Sequence, residues 1–377
     1  MKLRIPMKLP IPTEDQFKAS AHDERVTSKI GLALAITFTT CFVTGLISHL
    51  IQHPPTWFFW PSRPVGLYRV TQGLHVISGV ASVPLLLAKL WSVYPKLFGR
   101  PLVRSLPHAL ERLSILVLSG AAFFELTTGL LNVAQNYPWG FYFPQVHYAV
   151  AWLAIGSILV HVAVKLPIIR RGLSRSTAEE PPAEGLSRRG FLLTTGLATG
   201  VAVVATAGAT VPFLRGVSGL SWRTGKGTQH LPVNRTAAAA GVTWSPSWRL
   251  SVVTPRGTTE FSLDELRALP QTTAELPIAC VEGWSQSATW RGISLPALLK
   301  AAGARPGTSV RVSSLERSGL YGVSVLPGEH TADDLTLLAL ELNGEVLAPD
   351  HGFPCRIIAP NRPGVLQTKW VTKLEAL

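Results

Sequence analysis

The sequence contains little cysteine, little methionine and few charged side chains, and these shortages exclude several classes of protein. Three cysteines among 377 residues are too few for a disulfide framework. Charged residues make up 15% of the chain and the mean hydropathy is +0.27, which indicates a protein that lies partly within a membrane. The polar first 25 residues lack the pattern of a cleavable signal peptide.

Acidic residues are scarce relative to basic ones, and the imbalance is uneven along the chain. The formal charge is +13, and residues 1–190 hold 19 Lys and Arg against 9 Asp and Glu, whereas the rest holds 16 against 13. Because the surplus falls in the apolar half, it predicts the placement of cytoplasmic loops and not a nucleic-acid surface.

A long run of apolar and small residues follows a pair of arginines. The run ends at Leu214 and is long enough to cross a bilayer, which takes about 20 residues. The stretch Ser187-Arg188-Arg189-Gly190-Phe191-Leu192 resembles the twin-arginine export signal of bacteria. The alternative is a basic flank that follows the positive-inside rule. We therefore predict a cytoplasmic linker with the twin-arginine motif at 171–189 and a fifth transmembrane helix at 190–215.

Four further apolar segments of transmembrane length precede this run. They cover residues 28–51, 67–91, 110–133 and 145–169. Basic residues gather between the second and third segments, whereas aromatic residues fill the connections after the first and third. The positive-inside rule then predicts a cytoplasmic N-terminal segment at 1–25, a four-span membrane domain at 26–170 and an extracytoplasmic domain at 216–377.

Three of the histidines within the predicted spans are candidate functional residues, because an ionisable side chain there usually marks function. His147 and His161 are 14 residues apart on the fourth span, close to four helical turns, so both point the same way about 21 Å apart along the axis. His75 lies about two turns into the second span. If both spans enter from outside, His75 and His147 lie at similar depth and can bind one haem iron from opposite sides.

This four-span arrangement resembles the b-type cytochrome subunits of formate dehydrogenases and hydrogenases. The resemblance implies a membrane four-helix bundle with haem b bound by His75 and His147, and it makes His161 a candidate ligand of a second haem. The family's partner for that second haem lies near the cytoplasmic end of the first span, where this chain offers only His22. One haem is therefore expected and a second stays open. His49 is an alternative axial ligand.

The C-terminal part of the sequence predicts a mixed α+β, mainly β, domain. Strand-like stretches occur at 248–253, 309–314, 321–325, 355–359 and 369–374. Ser262 and Glu265 fit the capping box of one short helix, and Ser294 opens another that stops before Gly303. The dipeptide Asn343-Gly344 predicts a hairpin turn.

Cys280 stands in the segment Ala279-Cys280-Val281-Glu282-Gly283-Trp284-Ser285, followed by Thr289-Trp290-Arg291-Gly292. By itself a single cysteine at a strand end is most simply a small buried residue, and a disulfide to Cys355 is a further alternative. The segment resembles the molybdenum-binding cysteine segment of the sulfite oxidase superfamily, and most closely that of the catalytic subunit of the periplasmic methionine sulfoxide reductase. Segments 232–236 and 342–370 match in the same order, so the resemblance covers nearly all of residues 230–377.

The resemblance implies a molybdopterin cofactor and assigns residues to it. The Cys280 thiolate is the implied molybdenum ligand, a soft donor for a redox-active metal. The residues implied to bind the pterin or its phosphate are Asn234, His351, Arg356, Gly364, Val365, Leu366 and Lys369. Arg317 and Tyr321 occupy a segment that faces the metal in relatives and are the candidate substrate residues.

Together the two resemblances predict a fused oxidoreductase of the bacterial cell membrane. Electrons are expected to pass between the quinone pool, haem b and the molybdenum centre, with reduction of an S-oxide or N-oxide such as free or protein-bound methionine sulfoxide. Membrane lipid and the twin-arginine export machinery are the other expected partners, and nucleic acid is not. Two alternatives stay open: oxidation of sulfite with electrons flowing to the membrane, and a non-enzymatic envelope module whose fold has lost its cofactor.

Overall fold

A computed structural model describes residues 19–98, 105–174, 185–221, 227–305, 307–316, 319 and 321–377. The chain separates into two compact units. The first unit contains the residues up to Val43 together with Ile77–Val204, and the second contains Thr44–Val76 together with Ala205–Leu377. The second unit therefore joins a stretch of the N-terminal half to the C-terminal domain.

Five of the described helices are long and apolar enough to cross a membrane. Their bounds are Glu24–Gln52 (α1), Leu67–Val93 (α2), Leu106–Val133 (α3), Phe143–Leu173 (α4) and Arg188–Ala207 (α5). Large apolar side chains such as Ile36, Leu116 and Leu159 are more than half exposed, as expected for helix surfaces that lipid covers. The prediction of five apolar helices is confirmed.

The fifth helix is shorter than predicted: it ends at Ala207 and not at residue 215. A proline disfavours helical backbone in the residue before it. Val211, which precedes Pro212, is accordingly extended, with φ −113° and ψ 96°. A short 3-10 helix, Pro212–Val217, follows.

The paired arginines of the export-type motif open α5. Arg188 and Arg189 lie in its first turn, and the Ser187 hydroxyl accepts a hydrogen bond from the Gly190 amide at 3.1 Å. This bond satisfies one of the amide groups that a helix start leaves unpaired. Arg188 also pairs with Asp23 at 3.3 Å within the first unit. Recognition of the motif by the export machinery stays a prediction.

The C-terminal part of the second unit forms two five-stranded sheets within the described residues. The strands are Leu250–Thr254 (β1), Gly257–Phe261 (β2), Thr272–Ala279 (β3), Ser285–Ser294 (β4), Val310–Ser314 (β5), Val323–Leu326 (β6), Leu337–Leu342 (β7), Glu345–Val346 (β8), Arg356–Ile358 (β9) and Val371–Ala376 (β10). One sheet has the order β2-β1-β10-β5-β6, and the other has the order β3-β4-β7-β8 with β9 paired to β7. β1 and β10 run parallel, and the other neighbouring strands in these two orders are antiparallel.

Short-range signals of the C-terminal sequence correspond to observed caps and turns. The short helices are Leu263–Ala268 (α6), Leu295–Ala301 (α7) and Gly328–Thr331 (α8). Ser262 Oγ accepts from the Glu265 amide at 3.2 Å and the Glu265 carboxylate accepts from the Ser262 amide at 2.7 Å, so the capping box is confirmed. α7 ends before Gly303, and Asn343-Gly344 joins β7 to β8, as predicted.

Two apolar cores stabilise the two sheets. One contains Leu250 of β1, Leu298 of α7 and Leu338 of β7, and it also contains Cys355. Cys280 lies in the other core, whose largest member is Trp290 of β4. The two thiols are not joined by a disulfide, so that alternative is wrong and the cores rely on apolar burial, worth about 25 cal/mol per Å².

The connection between α1 and α2 is fastened to the C-terminal domain through Asn361. Its side chain accepts a hydrogen bond from the Tyr68 amide at 2.6 Å and donates one to the Pro61 carbonyl at 2.6 Å. Its carbonyl accepts from the Trp60 indole at 2.9 Å, and its amide donates to the Val65 carbonyl at 3.1 Å. Asn361 is 2% exposed and has a φ of +52°, a conformation that asparagine tolerates. One buried side chain thus unites the two parts of the second unit.

We expect Asn361→Gly to lower the free energy of unfolding by about 2 kcal/mol. Glycine keeps the positive φ but removes two side-chain hydrogen bonds, each worth about 1 kcal/mol. Denaturant unfolding of the detergent-solubilised protein measures the change. Arg267→Gln, which removes an exposed ion pair with Asp264, is the control and is expected to cost less. An N361G variant as stable as the wild type would contradict this account of the contact.

Candidate active site

A cleft lies in the C-terminal domain. Several separated loops contribute its polar, aromatic and glycine lining. These residues are Asn234, Arg235, Trp284, Glu316, Tyr321, His351, Arg356, Gly364, Gln367, Thr368, Lys369 and Trp370. The cleft therefore brings together most of the residues predicted to bind the cofactor. Arg317, a candidate substrate residue, lies outside the described residues.

Cys280 begins a closed turn at the end of β3. The Gly283 amide donates to the Cys280 carbonyl at 3.0 Å, and the Cys280 amide donates to the Trp284 carbonyl at 2.8 Å. Gly283 has a φ of +86°, which glycine adopts without strain. The Cys280 side chain is buried, and Asn234 Nδ2 donates to its Sγ at 3.5 Å. The turn thus fixes the thiol beside Asn234, a residue of the cleft wall.

The loop that begins at Gly364 runs close to the cysteine. A Cβ atom at Gly364 would lie 3.6 Å from the Cα of Cys280 and closer still to β3, so glycine permits this approach. Val365 lines the cleft, whereas the side chain of Leu366 packs in an apolar cluster with Tyr68. Of the three predicted residues in this loop, two face the cleft and Leu366 supports the loop from the other side.

Arg356 carries its positive charge in the buried wall of the cleft. Its Nη1 and Nη2 donate to the carbonyls of His351 and Gln367, each at 3.1 Å. The guanidinium lies 5.0 Å from the ring centroid of Trp290, a cation–π contact. Burial lowers the pKa of Arg356 to about 9. Its Nε has no hydrogen-bond partner among the described residues, although buried donors are normally paired.

Lys369 and His351 lie beside this arginine. Lys369 Nζ donates to the carbonyls of Arg235 and Asp350 and lies 4.5 Å from the ring centroid of Trp370. Burial, and then the charge of Arg356, lowers the pKa of Lys369 to about 7. Burial also lowers the pKa of His351 to about 4, so the ring is neutral near pH 7. Because its Nε2 lies 2.7 Å from the Thr228 carbonyl, the assigned tautomer is protonated there.

The carboxylates near these cations are engaged elsewhere. Glu316 pairs with Arg235 at 3.0 Å, and the Asp350 carboxylate accepts from the Ala237 amide at 2.8 Å. A buried charge is stable only when a partner compensates its loss of hydration. The unused Nε of Arg356 and the lowered lysine pKa therefore indicate a site for an anionic ligand.

Most of the residues that line this cleft belong to a segment that matches a known protein family. Residues 235–377 match the family described as the oxidoreductase molybdopterin binding domain. These residues form a molybdopterin-binding oxidoreductase domain, and they are similar to a sulfite oxidase. The buried cations fit the phosphate of the pterin, because arginine binds phosphate through charge-assisted hydrogen bonds. The domain is that of an enzyme, so the alternative of a non-enzymatic module is not supported.

Several curated proteins resemble this part of the chain. The oxidoreductase YuiH of Bacillus subtilis is 28% identical over 116 residues, 30% of this chain and 57% of its own length. Mitochondrial sulfite oxidase of Drosophila melanogaster is 31% identical over 140 residues, 30% of this chain and 24% of its own length. A protein of Azospira oryzae named as a protein-methionine-sulfoxide reductase subunit, YedZ1, is 28% identical over 114 residues, 30% of this chain and 42% of its own length. The matches span between about a quarter and just over half of these relatives.

Two of the residues that were not predicted contact Arg356. Trp290 supplies the aromatic face under Arg356, and its position in Thr289-Trp290-Arg291-Gly292 is the sequence signal that points to it. The side-chain amide of Gln367 accepts a hydrogen bond from the backbone amide of Ala359 and donates one to the backbone carbonyl of Ala359. The backbone carbonyl of Gln367 accepts a hydrogen bond from Arg356. No motif identifies Gln367, because its role depends on a fold that brings β9 against the following loop.

The histidines predicted to bind haem lie in different units. His75 belongs to the second unit, where a Cβ atom at Gly45 would lie 2.9 Å from its Cε1. His147 belongs to the first unit and contacts Glu125 and Thr128, with its Nε2 3.1 Å from Glu125 Oε2 and its Nδ1 3.1 Å from Thr128 Oγ1. Iron bound at one ring nitrogen would replace the polar partner of that nitrogen and leave the contact of the other in place. Haem binding by the pair stays a prediction.

His161, the candidate ligand of a second haem, lies among charged groups of the first unit. The charges of Lys89, Lys165 and Glu111 act on its ring. Lys165 and Glu111 form an ion pair between α4 and α3. A second haem therefore also stays a prediction.

We expect Arg356→Lys to lower the affinity for molybdopterin by about 10-fold to 100-fold. Lysine keeps the charge but lacks the planar guanidinium that donates two hydrogen bonds to one phosphate. Hydrogen bonds to charged groups are worth about 1.5–3 kcal/mol. Pterin and molybdenum content of the purified protein measure the loss. Arg311→Lys, at an exposed arginine paired with Glu375, is the matched control. Full cofactor content in R356K would contradict the assignment of Arg356 to the phosphate.

We expect the cofactor-free protein to gain stability as the pH rises from 7 to 9. The folded pKa of Lys369 is about 7 against an ordinary value of 10.5, so the unfolded chain binds more protons in this range and stability rises with pH. The gain is about 1–2 kcal/mol. Denaturant unfolding at several pH values measures it, and Lys369→Met should flatten the rise while Lys373→Met, at a partly exposed lysine, should not. An unchanged slope in K369M would contradict the burial of this charge.

Proposed function

We propose that this protein is a membrane-anchored molybdenum oxidoreductase that reduces an S-oxide or N-oxide, such as methionine sulfoxide, with electrons from the quinone pool. The single observation that carries the proposal is the buried positive charge of Arg356 and Lys369 in the cleft of a molybdopterin domain. Five helices of transmembrane length support the anchoring. In the proposed topology the N-terminus is cytoplasmic and the molybdopterin domain faces the outside of the bacterial cell membrane.

The residues of the cleft have separate tasks in this proposal. Arg356, Lys369 and the neutral His351 hold the pterin and its phosphate, and Cys280 supplies a thiolate to molybdenum. When bound, the cofactor supplies the redox chemistry, while the protein supplies binding and orientation. Asn234 donates a hydrogen bond to the Cys280 sulfur, which stabilises negative charge there. Tyr321 lines the cleft and is the described candidate for contact with the substrate.

The reaction balances with a quinol as donor. Reduction of a sulfoxide takes two electrons and two protons, breaks the sulfur–oxygen bond, and releases a sulfide and water. A quinol gives up two electrons and two protons when it becomes a quinone. The name of the YedZ1 relative supports methionine sulfoxide as the substrate class.

The resemblance of the helices supports haem b as a further cofactor, bound by His75 and His147. For this, the His147 ring has to exchange one of its polar partners, Glu125 or Thr128, for iron. A dithionite-reduced absorption spectrum of the purified protein tests the proposal. A b-type Soret shift supports it, and a spectrum without haem bands refutes it.

Sulfite oxidation is the second candidate, because mitochondrial sulfite oxidase of Drosophila is among the similar proteins. Turnover with methionine sulfoxide and a reduced electron donor separates this candidate from the first. The proposal predicts faster reduction of methionine sulfoxide than oxidation of sulfite. Faster sulfite oxidation would reverse the proposed direction of electron flow.

We expect Cys280→Ser to abolish turnover while the fold is kept, because serine is nearly isosteric but lacks the soft sulfur ligand. Metal analysis, pterin content and steady-state assays measure the effect. Cys355→Ala removes the other buried thiol of the domain and is the control, with molybdenum and turnover expected to remain. Wild-type turnover in C280S, or wild-type protein without molybdenum, would refute the proposed function.

A further inference from the structure

Residues outside the matched domain hold the turn that carries Cys280. Gln72 Nε2 donates to the carbonyl of Val281, the residue after the cysteine, at 3.4 Å. Arg69 donates from Nε to Ser285 Oγ and from Nη2 to Ser287 Oγ, each at 2.8 Å. Both donors lie in the first turns of α2, and all five residues belong to the second unit. The turn is therefore bound from the side of α2 at both of its ends.

The segment after α5 completes this support. The Ser285 amide donates to the Ala209 carbonyl at 2.8 Å, and Arg215 Nη2 donates to the Ser285 carbonyl at 3.0 Å. Thr210 Oγ1 donates to the Gly283 carbonyl, and a Cβ atom at Gly73 of α2 would lie 3.0 Å from the Thr210 methyl group. The two segments thus contact each other and the turn.

The Gln72 side chain is oriented by its own neighbours. Tyr68 Oη donates to Gln72 Oε1 at 3.4 Å and lies 3.0 Å from Ser48 Oγ. Tyr68 is 1% exposed and packs against Ala279, the residue before Cys280. Because Tyr68 occupies the oxygen of the amide, the nitrogen end is the one directed at Val281. Gln72 is 5% exposed, so its contacts are shielded from water and hold their geometry.

We propose that Gln72 and Arg69 are positioning residues of the molybdenum site, which act on the metal through the Cys280 turn. The proposal rests on the proposed function, in which Cys280 binds molybdenum. Groups that orient a metal ligand tune the metal, and their loss typically costs about 10-fold to 100-fold in metal affinity or activity. The start of α2, a helix of transmembrane length, is accordingly part of the site, and the matched domain alone does not contain all of it.

The decisive variant is Gln72→Leu, which keeps the side-chain size and removes the donor to Val281. We expect a shifted Mo(V) electron paramagnetic resonance signal, with different g-values, and a turnover at least about 10-fold lower, or a loss of molybdenum of similar size. Tyr68→Phe keeps the ring in the apolar cluster and removes the hydroxyl that donates to the Gln72 side-chain oxygen. We therefore expect a smaller change in the g-values of the Mo(V) signal. If Q72L does not fold, Y68F provides the test.

Gln271→Leu is the matched control, because the Gln271 amide donates to the Leu266 and Leu269 carbonyls at the opposite end of β3 from the Cys280 turn. A Mo(V) signal in Q72L and Y68F that matches the signal of Q271L and of the wild type would overturn the proposal. Wild-type protein that contains no molybdenum would instead overturn the proposed function, so the two failures are distinguishable.

Discussion

The positive charge buried in the cleft wall is the interaction on which the site depends. Arg356 keeps a guanidinium away from water, and stacking on Trp290 with two carbonyl partners compensates only part of the lost hydration. The pKa of the neighbouring Lys369 is lowered, because burial and the charge of Arg356 both disfavour its protonated form. An anion between them removes both penalties. The positions of these two cations therefore fit the phosphate of a pterin.

The same unit ties this site to the helices of transmembrane length. Asn361 fastens the connection between α1 and α2, and Gln72 of α2 reaches the carbonyl beside Cys280. These contacts are hydrogen bonds between buried groups, which are directional and costly to leave unpaired. The Cys280 turn is accordingly contacted by a residue some 200 positions earlier in the chain.

Features of the structure that depend on residues close together in the chain are predicted from the sequence. Five apolar runs predict five helices, Ser262 with Glu265 predicts a cap, and the Cys280 and Arg356 segments predict the cofactor site. The predicted strand stretches omit β2, β3, β4, β7 and β8. Pro277 interrupts β3, and β4 is largely polar in its first half. Gln72 is missed because its partner, Val281, is adjacent only after the chain folds.

The measurement that tests the central claim most directly is an experimental structure of the cofactor-loaded protein. The account predicts a phosphate group within hydrogen-bond distance of Arg356 Nε, with the ammonium of Lys369 against the same ligand and the Cys280 sulfur bound to molybdenum. A pterin bound elsewhere, with Arg356 Nε still lacking an anion, would contradict it.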